Sequence, residues 1–249
     1  VGRGWRSVST RQMAVSVRDW ADGLLSLGLR PGDTVGIMAP SSPQWVLFDY
    51  AIALAGGVTV PLFTNISPEN RAFELRDCGM RTIFVSGMEA LAALGSFRRK
   101  MERIIVDGGE PPSVGEFSLD RLAERGKEYR ARHPAAFLDR AGALTGSTLF
   151  SIIYTSGSTG VPKGVELTHG NLISQFQGAA ERIPIDATSD VVLSVLPLAH
   201  IFERMVVHYH LTRGVSVYFA DDVQNAGALM REVHPTVVTL VPRLLEKLH

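Results

Sequence analysis

Short apolar runs alternate with amphipathic stretches along most of this chain, and the alternation sorts it into units. Near the start, Val17, Trp20, Ala21 and Leu24 fall at i, i+3, i+4 and i+7, which predicts a helix with one buried face. Thr10 is its candidate cap, Gly28 its stop, and Pro31-Gly32-Asp33 the turn that follows. Val35–Ala39 then reads as a buried strand, Ser41-Ser42-Pro43 as the opening of a helix through Leu54, and Val58–Leu62 as the next strand. The same rhythm predicts a helix over Pro68–Asp77, a strand over Arg81–Val85, a helix over 87–100 and a strand over Arg103–Val106. Residues 107–117 read as a loop, 118–132 as a polar helix and Pro134–Thr148 as a connection. A second block opens with a strand at Phe150–Tyr154 and a helix at Asn171–Arg182, begun near Thr168 or Gly170. It continues with strands at Val191–Leu196, Val215–Phe219 and Thr236–Leu240, and helices at His200–Thr212 and Asp222–Val233, the latter capped by its aspartate. Pro242 begins one more helix. Strand–helix alternation of this kind predicts βαβ units, largely parallel sheets flanked by helices, and approximate halves at 1–133 and 149–249.

The chemistry concentrates where the second block opens. The β-branched run Ile152-Ile153-Tyr154 feeds into Thr155-Ser156-Gly157-Ser158-Thr159-Gly160, then Val161-Pro162-Lys163. Glycines let backbone N–H groups approach phosphate oxygens, hydroxyls add donors, and a lysine adds a cation, so the loop suits a polyphosphate. It is not the common P-loop, because Val161-Pro162 separate Gly160 from Lys163 and no Ser or Thr follows the lysine. It is also too rich in hydroxyls for a dinucleotide turn. A flexible connection is the plain alternative for any Gly/Ser/Thr loop.

The sixteen positions Tyr154–His169, Y-T-S-G-S-T-G-V-P-K-G-V-E-L-T-H, closely resemble the phosphate-loop signature of the adenylate-forming superfamily, which holds acyl-CoA synthetases, peptide-synthetase adenylation domains and firefly luciferase. Leu196-Pro197-Leu198-Ala199-His200 resembles a second motif of that superfamily, and the continuation Ile201-Phe202-Glu203-Arg204 is similar to long-chain fatty acid–CoA ligases. Arg30–Ile37, Ala55–Leu62 and Thr239–Lys247 resemble further family segments, so the likeness covers nearly the whole chain. Ser158 and Glu166 stand where Thr and Met are frequent, and neither change removes a donor or the cation from the loop.

The resemblance implies a large nucleotide-binding domain of two packed subdomains, and a two-step reaction. A fatty acid carboxylate attacks the α-phosphate of ATP to give acyl-AMP and pyrophosphate, and the thiol of CoA then takes the acyl group. On that basis Thr155, Ser156, Gly157, Ser158, Thr159 and Gly160 contact the β- and γ-phosphates, Lys163 supplies the cation, and His200 sits by the α-phosphate and acyl carboxylate. Glu203 and Arg204 are either a structural ion pair or part of the acyl side, which Phe202 also shapes or merely packs against. The family's adenine-stacking segment, its Mg2+-linked glutamate, its ribose-binding aspartate and its small C-terminal domain find no match here, so the chain is expected to be an incomplete domain, inactive alone and prone to self-association. Two other readings stay open: an acyl-AMP ligase that hands its product to a carrier protein, and a non-catalytic nucleotide-binding module.

Composition bounds this picture without changing it. Of 249 residues 45% are hydrophobic and 20% charged, an ordinary globular balance. Lys+Arg and Asp+Glu are 25 each, giving no basic excess for a nucleic-acid partner, and the run Arg98-Arg99-Lys100 reads as a solvated helix end. The single cysteine, Cys78, excludes an internal disulfide and fits a cytoplasmic setting. No His/Cys cluster has metal-ligand spacing, and no signal peptide or transmembrane run is evident. Peripheral membrane contact is expected only through the nature of a fatty substrate.

Overall fold

The computed structural model describes residues 4–63, 66–109, 111, 113–155, 162–242 and 245–246. The first helix, α1 (Thr10–Ser26), is capped by Ser9 rather than Thr10. Ser9 and Gln12 form a reciprocal capping box, which only the residue three positions before a Gln can complete. Leu27 closes the helix, and Gly28 takes a left-handed φ of 82° that a side chain would resist. Strand β1 (Thr34–Met38) leads to α2 (Pro43–Leu54), with Ser42 accepting from Trp45 N and Pro43 in the first turn. Next come β2 (Val58–Pro61), α3 (Pro68–Asp77), β3 (Thr82–Ser86), α4 (Gly87–Ala93) and β4 (Arg103–Asp107). The expected helix over 87–100 ends early and gives way to a 3-10 segment, Gly95–Lys100, because Gly95 turns left-handed at φ 54°.

Three elements escaped the sequence pattern. Strand β5 (Glu116–Ser118) lies inside the expected loop, α6 (Ala136–Gly142) inside the expected connection, and β7 (Lys163–Thr168) between the hydroxyl-rich loop and the next helix. The remaining elements are α5 (Leu119–Arg132), β6 (Leu149–Thr155), α7 (His169–Arg182), β8 (Val191–Ser194), α8 (Ile201–Thr212), β9 (Ser216–Phe219), α9 (Ala226–Val233) and β10 (Val237–Val238). Asp222 caps a 3-10 turn, Val223–Asn225, that precedes α9.

Seven strands form one sheet in the order β5-β4-β3-β1-β2-β6-β7, and three form a second, β10-β8-β9. All neighbours are parallel except β6 and β7, which make an antiparallel hairpin. Both sheets are thus largely parallel and flanked by helices, as the alternation predicts. The second block begins, in space, by adding β6 and β7 to the first sheet.

Strands β1 to β4 are covered on both faces and read as continuous apolar runs for that reason. One core cluster joins α1, α2, β1 and part of α5, with Phe48 stacked on Phe84 at 4.5 Å; Val207 of α8 packs into it too. A second cluster joins α4 to the other face through Ile83, Val85, Leu91, Ile104 and Val106. Leu193, Val195, Ala220, Ala226 and Leu229 make a smaller core between the second sheet and α9. Among the described residues no helix is long and apolar enough to cross a membrane.

Candidate functional site

The hairpin frames the hydroxyl-rich loop. Thr155, last in β6, pairs with Lys163, first in β7, and both are exposed. Residues Ser156, Gly157, Ser158, Thr159 and Gly160 lie outside the described residues, so the structure places the two ends of the loop and the lysine. β6 is held firmly behind them. Tyr154 donates to Asp77 Oδ2 at 2.7 Å and lies edge-on to Phe73, tying the strand to α3. Burial, helped by the bond to Asp77, pushes the Tyr154 phenol well above its ordinary value, so it stays a neutral donor.

His200 lies outside the first sheet, at the N-cap of α8, with an exposed side chain. Two ties hold the turn before it. Ser41, just beyond the carboxyl end of β1, donates to Leu196 O at 3.1 Å and accepts from Leu198 N at 2.9 Å. The His200 ring packs edge-on against Phe63, centroids 4.7 Å apart, where the chain leaves β2. In the parallel register Thr59 lies opposite Ser151, and four residues further along both strands stand Phe63 and Thr155. The mouth of the loop thus lies at the carboxyl end of β6, and His200, through Phe63, lies just past the carboxyl end of the adjoining β2, the end of a parallel sheet where ligands gather.

Behind this surface, α8 is pinned by buried polar groups. Arg204 is fully buried and forks onto Asp49 of α2, Nε to Oδ2 at 2.8 Å and Nη2 to Oδ1 at 2.6 Å. Its Nη1 donates to Ser151 Oγ at 2.8 Å, and Ser151 in turn donates to Thr59 O. Thr59 and His208 also donate to the Asp49 carboxylate, each at 2.7 Å. Phe150 faces the guanidinium at 4.2 Å. Burial alone would raise the Asp49 carboxyl; Arg204 and the His208 hydrogen bond outweigh it and hold the group far below the usual carboxylate range.

Glu203 does not pair with Arg204, contrary to one of the sequence readings. It is equally buried but accepts from Ser194 Oγ at 2.5 Å, at the carboxyl end of β8. Burial pushes its carboxyl up to about 7, against hydrogen bonds from Ser194 and Thr239. The physical reason is geometric: neighbours on a helix point about a quarter-turn or more apart and cannot share a partner. Phe202 is 55% exposed and packs into no core cluster.

An apolar slot of about 70 Å³ opens beside Ile201, lined by Phe150, Leu167, Leu172 and Met205 among others. Among the described residues no three His, Cys, Asp or Glu side chains converge as a metal site, so no ligand set for Mg2+ is assigned. Cys78 is a half-buried helix C-cap whose Sγ contacts Glu74 O, and burial raises its thiol. Arg98 is not freely solvated as expected: it forks onto Glu116. Sequence reasoning missed Ser41, Phe63, Asp49 and Ser151, all of which come from distant elements.

The family profile described as AMP-binding enzyme matches residues 1–249. A long-chain-fatty-acid–CoA ligase of Mycobacterium bovis, FadD15, is 33% identical over 98% of this chain, which spans 40% of that protein. An inhibitor-bound N-terminal domain of FACL13 from Mycobacterium tuberculosis superposes with a TM-score of 0.75 at 27% identity, covering 96% of this chain and 57% of that one. The anthranilate CoA ligase AuaEII, solved with anthranoyl-AMP, superposes with a TM-score of 0.78 at 25% identity, covering 94% of this chain and 44% of that one. The chain thus spans about two-fifths of the curated ligase it matches.

Proposed function

The chain belongs to the family of AMP-binding, adenylate-forming acyl-CoA ligases, and from that premise we propose that it carries the phosphate-binding part of a long-chain fatty acid–CoA ligase. On this reading residues 1–249 are part of the large nucleotide-binding domain, with sequence halves at 1–133 and 149–249. A fatty acid carboxylate oxygen bonds to the α-phosphorus of ATP, the bond from that phosphorus to the bridging oxygen breaks, and pyrophosphate leaves. CoA thiol then attacks the acyl carbon and AMP departs.

The difficulty in the first step is crowding of negative charge, and pre-set donors and cations are what ease it. Backbone amides and hydroxyls of Thr155, Ser156, Gly157, Ser158, Thr159 and Gly160 take the β- and γ-phosphates. Lys163, opposite Thr155 at the loop's far end, offsets charge on the departing pyrophosphate. His200, meeting Phe63 beside that strand end, donates where the carboxylate approaches the α-phosphate. The slot beside Ile201 gives an acyl chain an apolar start. It is far smaller than a typical ligand pocket, so the chain length accepted is set elsewhere. CoA as acceptor rests on the likeness to named CoA ligases.

The observation that supports the proposal is the pairing of Lys163 with Thr155 at the carboxyl end of β6, with His200 against Phe63 just past the end of the adjoining β2. Its test is calorimetric titration of ATP and of pyrophosphate into the chain and into Lys163→Ala. Loss of one cation from a phosphate site is expected to weaken both by about tenfold or more. Equal affinity in the two proteins would remove Lys163 from the site, and no binding to either would remove the phosphate reading altogether.

A further inference from the structure

Glu203 and Arg204 are consecutive, fully buried and anchored in opposite directions. Arg204 reaches into the first sheet, where Ser151 belongs to β6, the strand that runs on to the loop at Thr155. Glu203 reaches Ser194 at the end of β8 in the second sheet. Both lie in the first turn of α8, which begins directly after His200. A surface ion pair would leave a helix free to slide by a side-chain rotamer. A guanidinium with three donors committed and an aromatic ring over its face does not, because each displaced bond strands a buried polar group.

We propose that Arg204 and Glu203 are positioning residues for His200: clamped to the two sheets, they hold the first turn of α8 at a fixed distance from the strand bearing the phosphate loop, with the His200 ring seated on Phe63. The role depends on the reading of His200 given above, but the positional part stands independently of any ligand. Neither residue touches the reacting atoms. The rigid path runs from Thr155 back along β6 to Ser151, through Arg204 to the helix, and out again to His200. Asp49 closes the path by taking the remaining fork of the guanidinium, and its own place is fixed by Thr59 and His208.

The test uses the chain with 13C-labelled histidine rings and three variants of graded severity. Ser151→Ala removes one bond of the clamp, Arg204→Lys removes the fork, and Glu203→Gln is the conservative control, keeping the shape and the acceptor for Ser194. The His200 signal is identified by its loss in His200→Ala, and its Phe63 ring-current contribution by Phe63→Leu. His133, which closes α5, and His234, which closes α9, report whether each variant is folded. The expected result is that Ser151→Ala and Arg204→Lys move the His200 signal in the direction of Phe63→Leu while His133 and His234 keep theirs. An unmoved His200 signal in both folded variants overturns the proposal.

A second arm reads binding of a non-hydrolysable acyl sulfamate of adenosine. Ser151→Ala is expected to weaken it roughly three- to tenfold in the wild-type background and to have no further effect in His200→Ala, the non-additivity of residues acting through one another. Additive losses would show a general structural effect and overturn the positioning role. If the wild-type chain binds neither the analogue nor pyrophosphate while the ring signals still shift, the phosphate-site reading falls and the clamp on His200 stands.

Discussion

Two of the places where the molecule buries carboxylates beside arginines solve the problem differently. Along the seam of α1 and α5, Asp22 is fully buried and Asp19 nearly so, but their partners Arg18 and Arg130 reach in from the surface with side chains 26% and 32% exposed. Between α8 and α2, Asp49 and Arg204 are both at 0%. At the seam the cations keep part of their hydration, so the pairing is inexpensive and loosely specified. In the α8 clamp both ions are dry, and their attraction does little more than offset the water they lost. A pair of the second kind adds little net stability but penalises every arrangement that separates it. That suits a helix whose first residue follows His200, and it does not suit a helix that only needs to be covered.

The sharpest way to break the comparison is to remove one dry partner. Arg204→Met leaves the Asp49 carboxylate buried with only His208 and Thr59 for company. The expected loss is about 3–5 kcal/mol in chemical denaturation, and the double variant Asp49→Asn with Arg204→Met is expected to recover a large part of it. A loss of under about 1 kcal/mol for the single variant would mean that the pair is wet after all.

Glu203 sharpens the same contrast through pH. Its carboxyl is raised from about 4.5 to about 7 by burial, so the folded chain prefers it protonated. The stability it contributes is fully present below about pH 4.5 and is lost as pH rises through about 7, a difference of up to about 3 kcal/mol. Glu74 is raised to about 7 as well and titrates in the same window, so the informative quantity is the difference between wild type and Glu203→Gln. That difference is expected to vary between pH 4.5 and 7.5 and then level off. Parallel stability curves for the two proteins would refute a neutral Glu203.

Much of the fold was legible because local signals agreed with one another. Ser42 with Pro43, Pro68, and Gly28 gave starts and stops that the structure keeps. Where the elements were missed, the usual signal was inverted. Two of the three β5 positions, Glu116 and Ser118, are buried polar residues, and Glu116 stays buried because Arg98 covers it. β7 is an exposed edge strand whose K-G-V-E-L-T has no inward apolar row to read. α6 has no side-chain cap. At the site, Lys163 and His200 announced themselves by motif. Asp49, Ser41 and Phe63 carry no local signature, since their partners lie some 140 to 160 positions away. Only the divergence of Glu203 from Arg204 could have been found beforehand, because adjacent helical residues do not face one another.

The seam itself yields to shape more than to charge. Gly126 of α5 packs so closely on α1 that a Cβ there would run into the Asp19 carbonyl. Gly126→Ala is expected to cost about 1–3 kcal/mol by forcing the two helices apart, measurable as a lower denaturation midpoint at unchanged slope. Full stability in that variant would mean the seam is loose, and its charges rather than its fit would then hold it.

The smallest effect is expected where both ions are wet. Arg81 and Glu102 pair at 2.8 Å, as short a bond as those of the α8 clamp, but with side chains 71% and 45% exposed. Distance alone would rank this pair beside Arg204 and Asp49. Hydration ranks it far below, because water replaces each bond at little cost once the partner is gone. Arg81→Ala is therefore expected to change stability by no more than about 0.5 kcal/mol, and raising the salt concentration to shrink even that. A loss comparable to that of Arg204→Met would show that short geometry, not desolvation, decides which pairs hold this protein in place.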